Sequence, residues 1–158
     1  MSAAGLFERI QVIRERFPEA SRSATIPALR LAQEQYGWLP PEAIREVADA
    51  LDLTPAYCQA VASFYDMFHL QPVGRHLVEV CTNLSCALVG AQRVVEAFEE
   101  ELGVRAGETT SDGTVTFRTV ECLGGCGYAT VVAVDSRYHQ DVKPEHVPAI
   151  VRGIDGRA

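Results

Sequence analysis

Four cysteines between Cys81 and Cys126 constrain this 158-residue chain more than any other feature. They read CTNLSC, then residues 87–121, then CLGGC: a C-x4-C pair followed by a C-x3-C pair. Each pair closes a run with β character, HLVEV before Cys81 and TVTFRTVE before Cys122. Two thiol-bearing loops are therefore expected at the same end of one sheet, which is how a chain wraps four sulfurs around a small metal centre. The remainder reads as scaffold or docking element for those loops.

The redox compartment decides what clustered thiols mean. Met1 to Gly5 leads directly into an amphipathic helix, without the basic region and apolar core of a secretory signal. A cytosolic setting is expected, where thiols stay reduced and clustered cysteines point to metal or redox chemistry. No uncharged apolar run approaches the ~18 residues of a membrane span. A net charge of −7, from 14 basic and 21 acidic residues, argues against nucleic acid and anionic membrane surfaces as partners.

The first 70 residues read as helical, and a helical (docking) bundle is assigned to 1–70. Leu6, Ile10, Ile13 and Phe17 form one apolar stripe that Pro18 ends. A second helix opens between Ser23 and Pro27, carries Leu29, Ala32 and Tyr36, and stops at Gly37. Pro40-Pro41 opens a third with Ile44, Val47, Ala48 and Leu51 facing inward, and Thr54-Pro55 a fourth bearing Tyr57, Val61, Phe64 and Phe68. The i, i+4 spacing of Phe64 and Phe68 favours core packing over partner contact. Gln71 to Gly74 is the candidate linker.

Beyond it, 75–158 reads as a small α/β layer domain. His76 to Val80 is a strand, Val89 to Gly103 a helix with Val94, Val95, Ala97, Phe98 and Leu102 on its apolar face, and Thr114 to Glu121 a second strand. Thr130 to Val134, a turn at Asp135 to Arg137, a short strand near Tyr138 and a helix from Pro144 to Ile154 complete the order.

Iron–sulfur clusters take soft thiolate ligands, and two cysteine pairs match a two-iron centre. Gly124, Gly125 and Gly127 permit positive φ for backbone N–H groups aimed at sulfur, and Thr82, Asn83 and Ser85 suit a similar tight turn. Structural zinc, two disulfides and unrelated buried cysteines are the competing readings; zinc favours C-x2-C knuckles that neither pair has. Cys58 lies mid-helix among apolar residues and reads as a buried free thiol. His69, His76, His139 and His146 are dispersed and form no Cys-x-His pair. The GGCG run lacks the spacing of a nucleotide loop, so the chain shows no site of its own for NADH, flavin or ATP. No nucleophile–base set can be assembled. What remains is a one-electron carrier.

The C-x4-C pair followed by ECLGxC resembles the thioredoxin-like [2Fe-2S] ferredoxins. The front, with its QEQYGWLP and VASFYDMF stretches, resembles the family of E-type subunits of bacterial NADH–quinone oxidoreductase, respiratory complex I. The resemblance runs from about residue 6 to 154. It implies an α+β fold, a small helical bundle followed by a thioredoxin-like domain carrying one [2Fe-2S] cluster on Cys81, Cys86, Cys122 and Cys126. It further implies a non-catalytic electron-transfer role beside a flavoprotein subunit that binds FMN and NADH, in a peripheral arm at the cytoplasmic side of the inner membrane. In that family the cluster accepts an electron from the flavin and lies off the main wire to quinone. The equivalent small subunits of NAD-dependent formate dehydrogenases and NAD-reducing hydrogenases share the pattern, and a zinc-stabilised interaction module is the alternative of another class. Where the family often carries proline after the second pair, this chain has Thr130, a departure that bears on the local backbone.

Overall fold

The computed structural model describes residues 5–155. The reading of Met1 to Gly5 falls, except for Gly5, outside them. Chain contacts divide the molecule into two compact units, Met1–Pro72 and Val73–Ala158.

In the first unit, α1 (Leu6–Arg14), α2 (Thr25–Tyr36), α3 (Pro41–Leu51) and α4 (Pro55–Phe64) pack around Leu6, Ile10, Leu29, Leu39, Val47 and Leu51. Ala28, Ala32, Ala43 and Ala48 are fully buried, small side chains that let the helices approach closely. The ends follow local chemistry. Gly37 adopts φ 80° after α2, a left-handed conformation that costs glycine nothing. The Thr54 hydroxyl accepts the Tyr57 N–H at 3.3 Å at the start of α4.

One expectation fails here. α4 stops at Phe64, Tyr65 is extended, and the i, i+4 relation of Phe64 and Phe68 never forms. Phe68 is buried at 6% exposure while Phe64 is 79% exposed. The segment beyond α4 is held by Gln33, which donates to the Met67 carbonyl at 2.9 Å and accepts the His69 N–H at 2.7 Å. Long-range hydrogen bonds thus override the helical period.

In the second unit a four-stranded sheet has the order β2-β1-β3-β4. Strand β1 (His76–Cys81) pairs in parallel with β2 (Val115–Val120), from His76 opposite Val115 to Cys81 opposite Val120. β3 (Val132–Val134) runs antiparallel to β1, and β4 (Arg137–His139) antiparallel to β3. The tight β3–β4 turn places Asp135 and Ser136 at φ 48° and 66°. The Asp135 carboxylate accepts the Leu77 N–H at 2.9 Å, tying that turn to β1. Gly74, the last residue of the expected linker, lies on the sheet: its N–H donates to Thr116 Oγ1 at 2.6 Å, and a Cβ there would meet the Thr116 nitrogen at 2.8 Å.

The core of this unit joins Val78, Val80 and Phe117 of the sheet to α6 (Ala91–Leu102) and α7 (Val147–Asp155). Phe98 stacks on Phe117 with centroids 5.6 Å apart. The helix expected from Val89 to Gly103 is α6, but the first cysteine loop before it holds a further helix. A short α5 (Leu84–Leu88) precedes α6, and Gly90 at φ 99° turns the chain between them. The last helix opens with a 3₁₀ turn, Pro144–His146, and Pro148 sits in the first turn of α7. Among the described residues no helix is long and apolar enough to cross a membrane.

Candidate metal centre

Because β1 and β2 are parallel, their C-terminal ends lie side by side, and each delivers a cysteine there. Cys81 is the last residue of β1, and Cys122 follows β2 with only Glu121 between them. The partners arrive differently. Asn83 caps α5, its side-chain oxygen accepting the Leu84 N–H at 2.8 Å, and Cys86 sits in the middle of that helix. Cys126 opens a 3₁₀ turn, Cys126–Tyr128. The turn expected from Thr82, Asn83 and Ser85 is therefore a helix start.

The four thiols stand beside one another: Cys81 accepts hydrogen bonds from the Cys86 and Cys122 thiols, and Cys86 feels the charge of Cys126. All are free. Among the described residues, no three His, Cys, Asp or Glu side chains are placed to hold a single ion. Two pairs of thiols suit a two-iron rhomb, in which each iron takes two protein thiolates.

Backbone N–H groups already face sulfur. Cys81 receives those of Asn83 and Leu123, Cys86 that of Val131, and Cys122 that of Gly124 at 3.3 Å. Burial opposes ionisation of Cys81, yet these N–H groups and the neighbouring Cys86 and Cys122 thiols hold its pKa below the ordinary thiol value. At Cys86 burial dominates, a single N–H from Val131 opposes it, and proximity to Cys81 and Cys126 adds to the burial effect, so its pKa is raised. The donor set fits a negatively charged [2Fe-2S] centre: soft ligands in pairs, with N–H dipoles directed at sulfur.

Of the three glycines expected to supply positive φ, only Gly124 does, at 74°. Gly125 has a different reason to be glycine, since a Cβ there would stand 2.8 Å from Val131 Cγ2. Gly127 has no neighbour within 4 Å of an added Cβ. Leu123 and Val131, as N–H donors, escaped the sequence reading. Val131 carries no local signal, since its role follows from pairing with Cys81, whose N–H donates to the Val131 carbonyl at 3.1 Å. The Ala129–Thr130 peptide is cis.

The other candidate ligands have partners or surroundings of their own. His76 opens β1 at the end opposite Cys81, with Nδ1 2.9 Å from Asp135. His146 Nδ1 accepts the Lys143 N–H at 3.2 Å, and burial, reinforced by Arg137, pulls the His139 pKa down. Cys58 is buried on α4, and burial pushes its thiol pKa up.

Residues 10–155 match the sequence profile of the thioredoxin-like [2Fe-2S] ferredoxins. The chain belongs to that family. This ferredoxin is 40% identical over 144 residues to an NADH-quinone oxidoreductase subunit of Rhizobium meliloti, the second of its E type, covering 91% of this chain and 85% of the relative. It is 38% identical to the E-type NADH-quinone oxidoreductase subunit of Pseudomonas aeruginosa, covering 84% and 80% of the two chains. Its fold matches a chain of an NAD+-reducing [NiFe]-hydrogenase in the H2-reduced state with a TM-score of 0.71 at 19% identity, over 82% of this chain and 22% of that one. That likeness speaks to the fold, a helical front followed by a thioredoxin-like sheet.

Proposed function

We propose that this ferredoxin is an electron-transfer subunit of the NADH-oxidising arm of an NADH–quinone oxidoreductase. It holds one [2Fe-2S] cluster on Cys81, Cys86, Cys122 and Cys126, and its redox partner is the FMN of an adjacent flavoprotein subunit that also binds NADH. The observation that carries this reading is the meeting of four thiols, with N–H groups facing the sulfurs of Cys81, Cys86 and Cys122, in a chain 40% identical to an NADH-quinone oxidoreductase subunit. The cluster supplies one-electron chemistry, and the chain itself is not catalytic.

The protein's own contribution is positional. Cys81 and Cys86 are buried at 3% and 2% exposure, while Cys122 and Cys126 are exposed. Burial fixes one side of the site and excludes water from it. The other side is open to a partner. Leu84, Leu88, Val89 and Tyr128 are exposed apolar side chains on the two segments that carry Cys86 and Cys126, an uncharged approach for a docking protein. In the helical unit, Phe64, Tyr65 and Met67 are exposed and offer a second contact, in keeping with a docking role for 1–70. A setting at the cytoplasmic face of the inner membrane follows from the same host. The corresponding subunit of an NAD-reducing hydrogenase or NAD-dependent formate dehydrogenase is the neighbouring alternative, with the same chemistry.

The test is anaerobic. With the flavoprotein subunit present, NADH is expected to bleach the visible absorption of this ferredoxin; without it, NADH has no effect. A flavoprotein that binds the chain and oxidises NADH while the ferredoxin spectrum stays unchanged would contradict the assignment.

A further inference from the structure

We propose that the Thr130 hydroxyl donates a hydrogen bond to a sulfur of the [2Fe-2S] centre and raises its reduction potential. The inference rests on the cluster reading above. Thr130 is 2% exposed, and its Oγ1 is one of two fully buried side-chain oxygens without a hydrogen-bond partner among the described residues. Buried hydroxyls are paired in the great majority of cases, so an orphan marks a partner still to be named.

The surroundings of Thr130 name it. Ala129 and Val131, on either side, pack with Cys81 and Cys86 in one apolar group. The peptide joining Thr130 to Val131 gives its N–H to the Cys86 sulfur, and the Val131 carbonyl receives the Cys81 N–H. Thr130 is thus one peptide bond from contacts to both buried ligands. Its own carbonyl is occupied, accepting the Val142 N–H at 3.0 Å. The hydroxyl is unassigned, and a hydroxyl rotates to aim its proton. Sulfur that carries more charge after reduction accepts a stronger hydrogen bond, so a donor here favours the reduced state. Thr130 is a positioning and tuning residue, not a ligand.

The test uses the full chain, purified anaerobically, with iron and sulfide counted and the potential titrated by EPR against dithionite, which supplies the single electron. Thr130→Val and Thr130→Ala remove the hydroxyl, and Thr130→Ser keeps it. Both hydroxyl-free variants are expected to retain about two irons per chain. Their one-electron equilibrium should shift toward the oxidised form about three- to tenfold, the upper figure being about 59 mV more negative. Thr130→Ser should stay with the wild type. Full iron content with an unchanged potential in T130V and T130A would overturn the inference and leave the cluster reading intact. Loss of iron from both hydroxyl-free variants, with retention in T130S, would make the hydroxyl structural and overturn it equally. A wild-type chain that holds no iron and sulfide would end both.

Discussion

Cys81 and Cys86 lie where a strand passes into a capped helix, and both are buried; Cys122 and Cys126 lie on a glycine-rich loop ending in a 3₁₀ turn, and both are exposed. The first segment borrows its position from regular structure. Its strand is paired on both sides, and its helix starts on the Asn83 cap. The second segment lies outside the sheet and is held by local contacts: Leu123 and Ala129 pack with Cys81, Cys86 and Val131, and the Tyr128 carbonyl accepts the Asp141 N–H at 2.9 Å. The comparison teaches a difference in setting: one pair is buried on regular structure, the other is exposed on a loop.

The largest effect should separate the two pairs directly. Cys81→Ala or Cys86→Ala is expected to abolish cluster binding, because an unfilled ligand position inside the protein has no water to complete it. Cys122→Ser and Cys126→Ser should weaken the cluster yet retain part of the iron, since the exposed loop can bring an oxygen to the same place. Iron content and visible absorption after anaerobic reconstitution decide this, and equal retention in all four variants would erase the distinction.

Next comes the packing that holds the outer loop. Gly125→Val drives a side chain into Val131 and should cost about 1–3 kcal/mol in chemical denaturation. Gly127→Ala meets nothing within 4 Å and should be close to neutral. If the two variants melted alike, the close approach to Val131 would have no energetic weight. A smaller loss, about 1 kcal/mol, is expected from Asn83→Ala through the missing cap of α5. The same variant should lower iron affinity by mislocating Cys86, which a metal-competition assay would show. The smallest effect on the site belongs to Cys58→Ser: iron and sulfide content should not change, whatever the buried hydroxyl does to stability.

The same contrast explains what the sequence revealed. The strands ahead of Cys81 and Cys122 were legible because β-branched runs ended at cysteine, and their parallel pairing follows from the helix between them. The α3 face of Ile44, Val47, Ala48 and Leu51 was legible because its period is unbroken and all four are buried. α5 was not. A helix from Leu84 to Leu88 is too short to show a period, and its signal is one asparagine before it. Phe64 was misplaced because the chain beyond α4 is held by Gln33, a residue far away in sequence. The N–H donors Leu123 and Val131 were hidden for a related reason: any residue carries an N–H, and only the fold decides where it points.

The central claim is that one [2Fe-2S] cluster sits on these four thiols, and the most direct measurement is made on the anaerobically purified chain. Iron and labile sulfide are counted, the visible spectrum is recorded, and EPR follows dithionite reduction. The account predicts about two irons and two sulfides per chain, a coloured oxidised protein and a rhombic EPR signal on one-electron reduction. A colourless chain carrying zinc, still colourless after anaerobic reconstitution with iron and sulfide, would contradict it.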